Sequence, residues 1–385
     1  MRSVGFLFGF CALTCLQSCR HDEPVHTEAL PAPPFGYSED MTPRDSSVTT
    51  TAFDVPSGPP PAKPAPKVDL PPAPPIPPTP AFLPDIQDPS DNPTTPEKVT
   101  LGYLLFFDKR ISKDGTMACE GCHHTDKGWT EGQAVSAKVG GAMNTRNAPT
   151  MLNVGYFTSF YWDGRMPTLE AVCNAAWTGQ LGAKPEAIAE KLNAVPPYRA
   201  YFLRAFDSDA TAKNIPMALA SFLRALKSGD APWDKFEQGD TSAVSKEAQR
   251  GFEVFRTAGC ALCHVPPLYM DSQFHNAGIG FDKPEDKRDH GRMAFTKDPK
   301  DDGAFKTPTL RDIALTAPYF HDGSVATLDE AINIMAAGGI KNPNLDDKFK
   351  NLKKLKPKDK AAIKAFLISL TGSHTFDTPP GTLPE

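Results

Sequence analysis

Two short runs carry the most evident chemistry: Cys119-Glu-Gly-Cys122-His123 and Cys260-Ala-Leu-Cys263-His264. Two thiols three positions apart, followed at once by an imidazole, form the attachment pattern for a c-type haem. Each thiol adds to one vinyl group, and the histidine is then held under the iron as its proximal ligand. A zinc site or a dithiol redox pair would also use CxxC. Neither needs His in the fifth position twice, and zinc ribbons bring their pairs much closer in sequence. The pattern predicts two covalent haem c groups, one on Cys119, Cys122 and His123, the other on Cys260, Cys263 and His264.

Haem c is attached outside the cytoplasm, and the N-terminus agrees. Residues 1–18 read as a lipoprotein signal peptide, with Arg2 before an apolar stretch from Val4 to Leu16. Leu16-Gln-Ser-Cys19 resembles a lipobox, with Cys19 as the lipidated first mature residue. An ordinary signal peptide with an incidental cysteine is the alternative. The expected location is the periplasm or cell envelope, with a lipid tether to the outer membrane. Cys173 is left without a disulfide partner and reads as a small buried apolar side chain.

Residues 19–94 are of a different kind. Proline occurs 22 times between Pro24 and Pro96, and no hydrophobic period is present. Such a run favours polyproline II and cannot build a core, so it reads as a disordered, semi-stiff tether. The formal net charge is −5 with no basic patch. Nucleic acid is therefore excluded as a partner.

The elements that must hold the two motifs are helical. Amphipathic segments precede each motif, Thr95 to Phe107 and Ser245 to Thr257, with Thr95-Pro96 as an N-cap and first-turn pair. Further helices are expected at Pro185 to Leu192, Pro197 to Phe206, Pro216 to Lys227, Leu328 to Ala337 and Pro357 to Leu370. The last is followed by Gly372 as a stop. No stretch alternates with period two. The fold is expected to be all-α, with two cytochrome c-like haem domains and long loops, at 95–240 and 241–375. A tail covers 376–385.

Three further blocks carry a resemblance. They are Asn147-Ala-Pro-Thr-Met-Leu-Asn153, Tyr161-Trp-Asp-Gly-Arg165, and Phe305-Lys-Thr-Pro-Thr-Leu-Arg-Asp312 followed by Leu315-Thr-Ala-Pro-Tyr-Phe-His-Asp-Gly-Ser324. With the two CxxCH runs they make the chain similar to the bacterial di-haem cytochrome c peroxidases, a family that includes the MauG-type enzymes. The resemblance implies a peroxidatic N-terminal haem on His123 and an electron-transfer haem on His264. It implies that the sixth ligand of the latter lies fourteen residues beyond His321, which is Met335; MauG-type members carry Tyr there. A thioether ligand raises haem potential and suits electron transfer. Trp162 is implied to stand between the haems. One Ca²⁺ is implied on Asn147 and the backbone carbonyls of Thr316 and Pro318, and oxygen donors of this kind suit that ion.

The chain departs from the family pattern around the first haem. Where typical members carry a blocking loop histidine, this chain has Gly141, with Met143 as the nearby residue able to bind iron. His124 reads as a solvent-facing neighbour. Where the family has a catalytic Glu, an ungapped count reaches Gly182, and a two-residue deletion reaches Gln180 with Leu181 beside it. Gln can hydrogen-bond peroxide but cannot shuttle a proton at neutral pH, so Glu186 is an alternative acid. The usual distal Gln is replaced by Val172, and Trp177 is a candidate for lining the pocket. The expected function is reduction of hydrogen peroxide with electrons from a small donor, a cytochrome c or a cupredoxin. Alternatives are a MauG-like oxidase of a partner protein and a di-haem electron carrier in which Met143 closes the first iron. A homodimer is compatible with each.

Overall fold

A computed structural model describes residues 64–385, residue 351 excepted. Helix α1 (Pro96–Phe107) begins where the sequence places it: Thr95 Oγ1 accepts the Lys98 N–H at 3.3 Å, and Pro96 fills the first turn. Then follow α2 (Leu169–Gly179), α3 (Pro185–Asn193), α4 (Pro196–Phe206) and α5 (Asn214–Ala225). The second half contains α6 (Pro232–Glu237), α7 (Lys246–Ala258), α8 (Met293–Thr296), α9 (Leu328–Ala336), α10 (Asp347–Lys350) and α11 (Pro357–Ile368). The all-α expectation needs a small amendment. Antiparallel β1 (Ser228–Gly229) pairs with β4 (Ser373–His374), and β2 (Phe274–His275) pairs with β3 (Phe305–Lys306).

The two halves repeat one packing unit. In the first, α1 crosses α5; in the second, α7 crosses α11. Each crossing is set by a glycine. A Cβ on Gly102 would lie 2.0 Å from the Ala218 carbonyl oxygen, and one on Gly251 would lie 1.9 Å from that of Ala362. Only a residue without a side chain allows backbones that close. Four residues on, Phe106 and Phe255 each place a ring 6.4 Å from the histidine of the adjacent motif. Phe222 and Phe366 close the cores from the partner helices. Burying each such ring stabilises by about 1.5–3 kcal/mol.

Three boundaries differ from expectation. First, the stretch of the expected tether from residue 64 to 94 is extended but packed, not disordered. Polyproline backbone makes no internal hydrogen bonds, so its carbonyls are free to accept. Arg204 donates to the carbonyls of Leu70 and Pro71 at 3.0 and 2.6 Å. Lys227 Nζ donates to Thr79 Oγ1 at 2.9 Å, Pro80 fills the space over Gly229, and Leu70 and Leu83 are buried. Second, Trp233 and Phe236 of α6 pack in the second core, so that core begins before residue 240. Third, the 376–385 tail returns to the first half, where Phe376 and Leu383 pack on its core and Arg110 donates to the Pro384 carbonyl at 2.5 Å. The signal segment, Cys19 and residues 19–63 lie outside the described residues. Among the described residues no helix is long and apolar enough to cross a membrane.

Candidate haem sites

Each CxxCH run begins as a single 3-10 turn, Cys119–Gly121 and Cys260–Leu262. His123 Nδ1 donates to the Trp129 carbonyl at 3.0 Å, and His264 Nδ1 donates to that of Tyr269 at 2.9 Å. A carbonyl only accepts, so the proton sits on Nδ1 and the Nε2 lone pair is left for a metal. Trp129 and Tyr269 both adopt the left-handed region, with φ of 59° and 54°, so the two turns are alike. Burial pushes the His123 imidazole down to about 4 and lowers that of His264 as well. Both rings are therefore neutral, the form that ligates.

Cys260, Cys263 and His264 open into a cavity whose walls include Phe255, Leu310, Ile332 and Leu367. Met335 of α9 lines the same cavity, as does Trp162 of the first half. Two thiols, an imidazole with a free Nε2, apolar walls and a thioether make a donor set that fits a covalent haem. His264, Met335 and Trp162 therefore border one cavity.

A family model described as di-haem cytochrome c peroxidase matches residues 96–242. The chain is 36% identical over 300 residues to the methylamine utilization protein MauG of Methylorubrum extorquens, covering 77% of this chain and 84% of that one. It is 36% identical over 331 residues to the cytochrome-c peroxidase IdrP1 of Denitromonas iodatirespirans, covering 77% and 88%. A crystal structure of a MauG-like protein associated with microbial copper homeostasis superposes with a TM-score of 0.68 at 33% identity, covering 76% of this chain and 95% of that one. The chain belongs to the di-haem cytochrome c peroxidase family. With that family come two haem c groups and a helix-rich fold with little sheet. The relatives' names divide between MauG and peroxidase.

Within this family fold the helices α2 and α9 differ at one matching position. Helices α2 and α9 are both capped by a threonine, Thr168 and Thr327. Eight residues beyond the cap stands Met335 in one half and Ala176 in the other. The first half thus has a methyl group where the second has a thioether. Gln180 ends α2. Its Oε1 accepts from Asn144 Nδ2 at 2.8 Å, and its backbone carbonyl accepts the Val139 N–H at 2.9 Å. It therefore anchors the Gly140-Gly141 loop. A Cβ on Gly141 would meet nothing within 4 Å, and Met143 is 57% exposed.

Two other candidates are placed elsewhere than expected. Trp177 is fully buried and donates Nε1–H to the Ile111 carbonyl at 2.8 Å, which makes it a core residue. Glu186, at the start of α3, is exposed and borders a surface depression with Arg199 and Asp209.

Asn147 and Trp162 meet at the seam between halves. Trp162 Nε1 donates to the Asn147 carbonyl at 2.9 Å, while Asn147 Nδ2 donates to the Gln133 carbonyl at 2.8 Å. Thr316 lies against Gly128, where an added Cβ would come 3.0 Å from its Cγ2. No hydrogen bond among the described residues joins Asn147 to Thr316 or Pro318.

Sequence reasoning missed two groups here. Arg146 bridges Asp163 at 2.7 Å and Asp289 at 2.6 Å, clamping the halves together. Lys306 is a buried wall residue of the cavity that holds Cys260, Cys263 and His264, and burial pushes its ammonium down to about 8. Its signal was the single charge in the block Phe305-Lys-Thr-Pro-Thr.

Proposed function

We propose that the chain is a peroxidase of the periplasm or cell envelope. Hydrogen peroxide, two protons and two electrons give two waters, the electrons coming singly from a small cytochrome c or cupredoxin. The bound haems supply redox iron at two places, one for electron storage and one for peroxide. Cys260, Cys263, His264 and Met335 would hold the first of these, and Cys119, Cys122 and His123 the second.

The observation that carries this reading is the shared cavity of His264, Met335 and Trp162. Imidazole and thioether together leave no position for substrate, which suits electron transfer. Ala176, at the matching helix position of the first half, offers no donor atom, so the haem held by Cys119, Cys122 and His123 would be left able to bind peroxide. Trp162 belongs to the first half and lines the cavity of the second, which supports its role as relay. Gln180 would hydrogen-bond peroxide at the first site, orienting it without moving a proton. Asn147, with the Thr316 and Pro318 carbonyls, would hold one Ca²⁺ at the seam. Lipid on Cys19 would tether the chain.

A second reading, a MauG-like oxidase of a partner protein, is favoured by one feature: neither Gly182 nor Gln180, the positions that match the family's proton-moving Glu, carries a carboxylate. The electron-carrier reading needs Met143 as a ligand, and its exposure counts against that.

Peroxide consumption measured with and without a reduced donor tests the proposal. Turnover with two donor molecules oxidised per peroxide supports it. One stoichiometric reaction without donor turnover favours the oxidase, and no reaction favours the carrier.

A further inference from the structure

We propose that Lys306 is the counter-charge for a propionate carboxylate of the haem held by Cys260, Cys263 and His264. This assignment rests on the reading that a haem fills that cavity.

Lys306 is 8% exposed and lines the cavity together with Cys260, Cys263 and His264. Its ammonium carries three protons and donates to the Ser159 carbonyl at 2.6 Å. Its other neighbours are two aromatic faces, Phe157 at 4.5 Å and Phe160 at 5.9 Å. Among the described residues no carboxylate forms an ion pair with it. A buried ammonium without a counter-charge is costly, and proteins supply a partner or lose the proton. Ser159 adds a second unmet group, because its buried Oγ has no hydrogen-bond partner. Lys306 is thus a buried cation in the cavity wall with no protein carboxylate paired to it, beside a serine whose own hydroxyl has no partner.

A haem attached through its vinyl groups carries two propionates on the opposite edge. Those carboxylates are the anions that the filled cavity would bring. The comparison between halves sharpens the point. Lys306 donates its main-chain N–H to the Trp162 carbonyl at 2.7 Å, and Asn147 donates to the His321 carbonyl at 2.7 Å. Trp162 and His321 hold the same place in matching turns, so Asn147 is the counterpart of Lys306. The chain puts a charge at one of two equivalent positions, the one at the second cavity. A cation beside a haem carboxylate favours the reduced iron, which carries less positive charge. Lys306 is thereby a positioning residue that raises the potential of the electron-storing site.

The test uses the full mature chain and its Lys306→Met and Lys306→Arg variants. Covalent haem is counted by mass, each haem's midpoint potential is titrated spectroelectrochemically, and the propionate bending mode is read by resonance Raman. Lys306→Met is expected to keep two haems, to lower the midpoint of the His264 haem alone, and to shift the propionate mode. Lys306→Arg should restore both. Should Lys306→Met fail to mature, Lys306→Gln gives the same readouts. Two bound haems with unchanged potentials and an unchanged propionate mode would overturn the pairing, leaving Lys306 to the Ser159 carbonyl and the rings. A wild-type chain without haem at Cys260 and Cys263 would instead overturn the reading beneath it.

Discussion

Trp162 and His321 exchange carbonyls across the seam. The Trp162 carbonyl, in the first half, accepts the Lys306 N–H of the second, and the His321 carbonyl accepts the Asn147 N–H of the first, both at 2.7 Å. The turns that carry them close alike: Phe160 N–H to the Met166 carbonyl at 2.9 Å, and Tyr319 N–H to the Val325 carbonyl at 2.7 Å. Tyr161 and Phe320 both take positive φ there, 61° and 68°. Each half is therefore completed by backbone from the other, and Trp162, Lys306 and His321 also line the cavity of the second half.

Met335→Ala should abolish the near-infrared thioether-to-iron charge-transfer band and lower the potential of the His264 haem. An unchanged spectrum would take Met335 out of the site.

The first haem should be five-coordinate as isolated, because Ala176 offers no donor and Met143 is exposed. Electron paramagnetic resonance of the ferric protein should show a high-spin signal beside a low-spin one. Ala176→Met should convert part of the high-spin signal to low-spin and slow cyanide binding. Two low-spin signals in the wild type would reveal an unrecognised ligand.

Gln180→Glu should speed the reaction with peroxide by ~10²-fold or more, since a carboxylate can move a proton. Its oxygen can still accept from Asn144, so the loop anchor is kept. A slower variant would restrict Gln180 to holding that loop.

Gly251→Ala should destabilise the chain by about 2–4 kcal/mol in denaturant titration, because the added methyl meets the Ala362 carbonyl. Gly179→Ala, where nothing lies within 4 Å, should be neutral or stabilising by about 0.5 kcal/mol. Equal effects would mean that the helix crossing relaxes freely.

His374 lies 3.3 Å from Asp312 and 3.2 Å from Asp377. Burial works against its cation, but the two carboxylates outweigh it and raise the ring above its ordinary 6.5. A raised folded value means that this contribution is full below 6.5 and is lost as pH rises through the folded value. Urea midpoints should fall across that window in the wild type and less steeply in His374→Gln. Matching slopes would assign the pH dependence to other groups.

Much of the site was legible. The haem cysteines and histidines announce themselves by spacing, and α1, α7 and α11 by period and caps. Helix α2 was not expected, although Thr168 and the apolar positions Leu169, Cys173 and Trp177 mark its cap and one face. The equivalence of Asn147 with Lys306 is hard to see in letters, because matching backbone turns tolerate different side chains. The packed strap was hidden by composition. Proline excludes helix and sheet, but it leaves carbonyls that Arg204 can find only in three dimensions.

That strap also changes what the first half can show to other molecules. Pro71, Thr79 and Pro80 lie against Arg204, Lys227 and Gly229. These cations and this stretch of backbone are already taken by the chain itself. What that face shows to solvent is proline, with the Arg204 and Lys227 side chains bonded to the strap.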